Sequence, residues 1–117
     1  MHLAVKRIYD EPSEGDGERI LVDRLWPRGM SREKASVDLW MRDIAPSGPL
    51  RKWYGHDRTR WDEFRRRYRE ELKAKEEMVG ELRARCSDHV VTLLYSTRER
   101  VFNNAEALRQ ILMEGQD

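Results

Sequence analysis

Two short, nearly unbroken apolar runs, Ile20-Leu21-Val22 and Val90-Val91-Thr92-Leu93-Leu94-Tyr95, constrain the fold of this chain more than any other feature. A strand with one wet face alternates apolar and polar side chains; a strand covered on both faces reads as a continuous apolar stretch. Arg19–Asp23 and Val90–Tyr95 are therefore expected to be buried strands. Leu3–Tyr9, which mixes β-branched and aromatic residues with charge, suits an outer or half-buried one. Asp10 to Gly17, with Pro, Ser, two Gly and four acids, has no apolar face and reads as a loop.

The period changes between the strands. Trp61, Phe64, Tyr68 and Leu72 recur at i, i+3, i+7 and i+11, which predicts a helix from Arg58 to about Ala74 with one apolar stripe. Further helices are expected from Lys75 to Arg85 and from Asn103 to Met113. A short one follows the N-cap Ser31, and another covers Leu50 to Tyr54. Residues 38–44 fit either a further helical turn or a short extended piece. Strands separated by helical crossovers favour an α/β fold: a small, mainly parallel sheet of three to four strands flanked by helices, with Rossmann-like layering. With 117 residues and no composition break, one domain over residues 1–117 is expected.

Charge restricts the partners. Lys and Arg number 23 against 22 Asp and Glu, a net charge of +1, so no global field favours nucleic acid or membranes. Residues 51–75 are locally basic, with ten Lys/Arg against five Asp/Glu. No run approaches the roughly 18 apolar residues of a membrane helix, and no signal-peptide pattern opens the chain. A cytoplasmic protein is the expectation. The single Cys86 has no internal disulfide partner and reads as a structural thiol at a helix end.

In open α/β sheets, ligands bind beyond the carboxyl ends of the strands. The second strand delivers Asp23, Arg24, Trp26 and Arg28; the last delivers Tyr95, Ser96, Thr97 and Arg98, followed by Asn103 and Asn104. If those strands are neighbours, both sets line one mouth. Arg24 and Arg28 would clamp an anion with paired donors, and Trp26 would stack on it. The competing assignment makes Trp26 a core plug and pairs the arginines with Asp23 and Asp43. Arg51, Trp53 and His56 form a second cluster, in which His56 is the histidine best placed for proton transfer if it folds over the mouth. No zinc spacing, P-loop or GxSxG is present, so no metal, cofactor or reaction is assigned.

The stretches Lys6-Arg7-Ile8-Tyr9-Asp10, Leu21-Val22-Asp23-Arg24-Leu25-Trp26-Pro27-Arg28-Gly29 and Leu50-Arg51-Lys52-Trp53-Tyr54-Gly55-His56-Asp57 resemble the DUF488 (YeaO-like) family. The likeness continues through Asp43-Ile44-Ala45-Pro46-Ser47, Trp61, Phe64, Tyr68, Val91–Tyr95 and Asn103, almost the whole chain. It implies a bacterial or archaeal α/β domain of uncharacterised function, with motif positions at Arg24, Trp26, Arg28, Gly29, Ser47, Arg51, Trp53, His56 and Tyr95. The chain departs from the family pattern at Glu99-Arg100-Val101-Phe102, where an acidic stretch with a His is expected before the Asn.

Two functions follow from these residues. In the first, Arg24, Arg28 and Arg51 bind a phosphate- or carboxylate-bearing small molecule, with Trp26, Trp53, Tyr95 and Ser96 around it and His56 as the proton-transfer group of any reaction. In the alternative, the arginine-rich helix over residues 58–74 is a non-enzymatic nucleic-acid or protein interaction surface.

Overall fold

A computed structural model describes residues 1–114. Four strands, β1 (Leu3–Arg7), β2 (Glu18–Leu21), β3 (Leu39–Trp40) and β4 (Val91–Tyr95), form one sheet in the order β1-β4-β2-β3. Every pairing is parallel, so the sheet is wholly rather than mainly parallel. Five α-helices accompany it: α1 (Arg32–Ala35), α2 (Gly48–Tyr54), α3 (Trp61–Lys73), α4 (Glu76–Asp88) and α5 (Asn104–Met113).

β4 occupies the centre, which explains its unbroken apolar sequence. Its alternate residues face two different cores. Val91, Leu93 and Tyr95 join Ile20, Val22 and the apolar sides of α2 to α5 in the large core. Leu94 turns the other way, with Leu21, Ile8 and Ala35 of α1, into a small core completed by Trp26, Met30, Val37 and Trp40. The predicted stripe of α3 supplies the large core: Trp61, Phe64, Tyr68 and Leu72 are all buried. Tyr68 satisfies its buried hydroxyl by donating to the Ile44 carbonyl at 2.6 Å.

Local differences from the sequence reading have physical causes. β1 ends at Arg7, and the chain turns at once, with the Asp10 amide donating to the Arg7 carbonyl at 3.0 Å. Residues 38–44 split: Leu39–Trp40 pairs with Ile20–Leu21 as β3, and Arg42–Ile44 follows as a 3-10 turn. The helix expected from Arg58 opens as a 3-10 turn over Arg58–Arg60, capped by Asp57, before α3 begins at Trp61. The next helix runs to Asp88, three residues past Arg85, because Cys86 still faces the core. No helix among the described residues is long and apolar enough to cross a membrane.

Candidate functional site

β2 and β4 are neighbours, with Leu21 opposite Leu94, so their carboxyl ends open side by side. The first residues beyond them meet. The Asp23 carboxylate accepts from the Ser96 amide at 2.9 Å and the Ser96 hydroxyl at 2.7 Å through Oδ2, and from Asn104 Nδ2 at 3.0 Å through Oδ1. Asn104 Nδ2 also donates to the Val22 carbonyl at 3.2 Å, and Trp40 Nε1 donates to the Asp23 carbonyl at 2.8 Å. Asp23 thus ties the end of β2 to the end of β4 and to the first turn of α5. Arg7 secures the other side of the same loop, its guanidinium donating to the Ser96 and Thr97 carbonyls.

A cavity of about 140 Å³ lies against this junction, lined by Asp23, Ser96, Thr97, Asn103 and Asn104 from the strand ends and by Arg51, Tyr54, His56 and Phe64 from α2, its following turn and α3. Tyr54 and Phe64 stack with ring centroids 4.2 Å apart and form its apolar wall. The Tyr54 hydroxyl donates to the Phe102 carbonyl at 2.8 Å, and burial first, then the Glu99 charge, pushes its pKa up to about 12. It is a neutral wall residue across the physiological range. Asn103 is the α5 N-cap, accepting from the Glu106 amide at 2.9 Å.

His56 reaches the rim through unusual backbone. Gly55 closes α2 with φ 52°, and His56 follows with φ 58°, one of two non-glycine residues with positive φ among the described residues. The left-handed region costs an L-residue with a β-carbon roughly 1–2 kcal/mol, and the exposed His56 offsets little of it, its ring meeting only Tyr54 among the aromatic side chains of the described residues, at 6.2 Å between centroids. We expect His56→Gly to stabilise the fold by about 0.5–1 kcal/mol, after allowing for the greater chain entropy of glycine when unfolded. A rise in the urea midpoint at unchanged slope would show it; a fall would mean that the imidazole holds the turn.

Three of the eight sequence candidates therefore line one cavity: Arg51, His56 and Ser96. The other five sit elsewhere. Arg24 and Arg28 are exposed, and neither forms an ion pair with Asp23 or Asp43 among the described residues. Trp26 packs on the small core, edge-on to Trp40 at 5.5 Å, under the Arg32 guanidinium and donating to the Met30 carbonyl at 2.7 Å. Trp53 lies beneath Arg60 and Arg67, at 5.2 and 4.0 Å from their guanidinium carbons. Tyr95 is buried in the large core, and burial raises its pKa. Ser47, another motif position, caps α2 and bonds Glu71.

The sequence reading gave Asp23 no role beyond pairing with an arginine, favoured Asn103 and Asn104 as caps over ligand contacts, placed Phe64 on the apolar stripe, and assigned Tyr54 no part in the site. Adjacent asparagines at a helix start carried the available signal: one side chain can cap, which releases the other. In α3 and the turn before it, every arginine meets a carboxylate: Arg58 with Glu99, Arg60 with Asp57, Arg65 with Asp62, Arg66 and Arg67 with Glu63, and Arg69 with Glu114.

An uncharacterised protein of Mycobacterium tuberculosis, Rv3073c, is 42% identical over 110 residues, covering 94% of this chain and 92% of its own. The uncharacterised protein YeaO of Escherichia coli is 38% identical over 108 residues, covering 92% and 94%. No solved structure matches. A family model described as the inactive DUF488-N3 subclade matches residues 2–117, and the chain belongs to that family, DUF488-N3i.

Proposed function

We propose that this protein binds a small anionic molecule in the cavity at the ends of β2 and β4, with Arg51 and His56 as the groups that draw its charge. The observation that carries this reading is the position of Arg51. Arg51 lines a concave site together with Ser96 and Thr97, while no carboxylate pairs with it among the described residues. An unpaired guanidinium at a cavity mouth offers two parallel donors to a carboxylate or phosphate. The arginines of α3 are instead matched to acids on the protein, which leaves them little field to attract a nucleic acid.

Size limits the ligand. A cavity of about 150 Å³ accommodates benzene, whereas drug-sized sites occupy roughly 300–1,000 Å³. The 140 Å³ here suits one small ring or a chain of a few carbons. The inactive-subclade description of the matching family favours binding without turnover, with His56 as a rim donor rather than a proton-transfer group.

Calorimetric titration of compact carboxylates and phosphates into the wild type, Arg51→Ala and Arg24→Ala tests the reading. Loss of a charged hydrogen bond should weaken binding at least about tenfold in Arg51→Ala, with Arg24→Ala unchanged. Equal affinity in wild type and Arg51→Ala would overturn the cavity reading, and loss confined to Arg24→Ala would move the site to the exposed loop.

A further inference from the structure

The cavity holds two unpaired charges of opposite sign. Asp23 has no Lys, Arg or His partner among the described residues, and neither has Arg51 an acidic one, although both line the same 140 Å³ space. The three donors that reach Asp23 are neutral: an amide, a hydroxyl and a carboxamide. They fix the carboxylate rigidly and leave part of its acceptor capacity unspent, since two carboxylate oxygens offer about four lone-pair sites. Asn104 spends its Nδ2 on Val22 and Asp23, which leaves its carbonyl oxygen as the end available to a ligand. The strand-end side of the cavity is therefore rich in acceptors and carries a negative charge, whereas the α2 side carries Arg51 and His56.

A simple anion satisfies only half of this site. Its charge would be drawn to Arg51, but the Asp23 carboxylate repels any anionic group that goes deeper. The deeper end needs a donor, and a positively charged one gains most. From this complementarity we infer that the ligand is a compact zwitterion, an amino-carboxylate of about two to five carbons. Its ammonium sits on Asp23 and the Asn104 oxygen, its carboxylate on Arg51, and its carbon chain against the Tyr54–Phe64 wall. The inference rests on the anion-binding reading above and sharpens it from charge to ligand class.

Matched ligand triplets provide the test on the unaltered protein: β-alanine with propionate and ethylamine, γ-aminobutyrate with butyrate and propylamine, and proline with cyclopentanecarboxylate and pyrrolidine. Within each triplet one analogue lacks the ammonium group and the other lacks the carboxylate. Isothermal titration should find at least one amino-carboxylate binding at least about tenfold tighter than both of its single-charge analogues, as expected when one charge-assisted hydrogen bond is lost. Arg51→Gln should bring that ligand down to the level of its amine analogue. Asp23→Asn should bring it down to the level of its carboxylate analogue; because that change also touches the β2–β4 junction, the ligand triplets on wild type carry the decision. Carboxylates that bind as tightly as their amino counterparts, with Arg51 dependence intact, would overturn the zwitterion and leave the anion site standing. Amines that bind as tightly as the amino-carboxylates would overturn it too. Absence of Arg51-dependent binding for every probe would remove both readings.

Discussion

Gly17→Ala is expected to destabilise the protein by about 3–5 kcal/mol, a large fraction of the roughly 5–15 kcal/mol that holds a typical domain folded. Gly17 has φ 64° and ψ −137°, a region that essentially only glycine enters without strain. A β-carbon there would also lie 2.2 Å from the Val90 carbonyl oxygen and 2.8 Å from its carbon. Neither backbone can yield, because that oxygen accepts from the Glu18 amide at 2.9 Å, the contact that sets β2 in register against β4. Gly15→Ala, two residues away, is the control. Nothing lies within 4 Å of its added carbon, and its effect should stay within about 0.5 kcal/mol. Urea unfolding of the two variants checks both values; similar midpoints would show that the 17–18 turn relaxes freely.

Arg19→Ala should cost about 3–5 kcal/mol, the usual penalty for breaking a buried charge pair from one side. The Arg19 side chain is only 5% exposed and spends its guanidinium on three groups: Asp16 Oδ2 at 2.5 Å, the Ser36 carbonyl at 3.0 Å and the Ala35 carbonyl at 2.9 Å. It thereby joins the loop before β2 to the end of α1, where Ser36 adopts φ 48°. Arg19→Lys should recover little of the loss, since one ammonium cannot reproduce a planar fork aimed at three acceptors.

The same pair makes an acid-sensitive element. Burial alone would raise the Asp16 pKa, but hydrogen bonds from the Ser13 amide and hydroxyl, Lys6 and Arg19 outweigh it and bring it down to about 2. Its folded value lies below the ordinary 3.8, so the contribution is complete above about pH 5 and is lost as pH falls toward 2. A shift of that size corresponds to about 2 kcal/mol. Stability measured from pH 6 to pH 2 should fall by roughly that amount for this group, and less steeply in Arg19→Ala, where one stabilising contact is already gone.

The strands and long helices were legible because burial leaves a periodic trace. β4 sits in the middle of the sheet between two cores, so each of its positions has to be apolar or, like Thr92, internally bonded; its hydroxyl donates to the Asp16 carbonyl at 2.7 Å. The α3 stripe, the Ser31 cap and the Asn103 cap were local patterns of the same kind. β3 escaped because two residues are too few to show a period. Trp26 was misleading for a related reason. A tryptophan after a strand end can face a mouth or fold back over the sheet, and the residues of the turn carry no sign of which; here Ile8, Leu21, Ala35 and Leu94 leave a small core for it to cover.

By itself, then, the sequence determined the α/β class, the parallel sheet implied by its helical crossovers, and the end of that sheet where polar side chains gather. Only the tertiary structure decided which of those side chains share a cavity. Asp23 and Ser96 meet across 73 residues because β2 and β4 happen to be adjacent, and Arg51 joins them because α2 packs over the same edge. Arg24 and Arg28, next to Asp23 in the chain, point to solvent instead. Beyond a strand end the backbone has no repeat to set the direction of a side chain, and that direction is fixed by long-range packing alone.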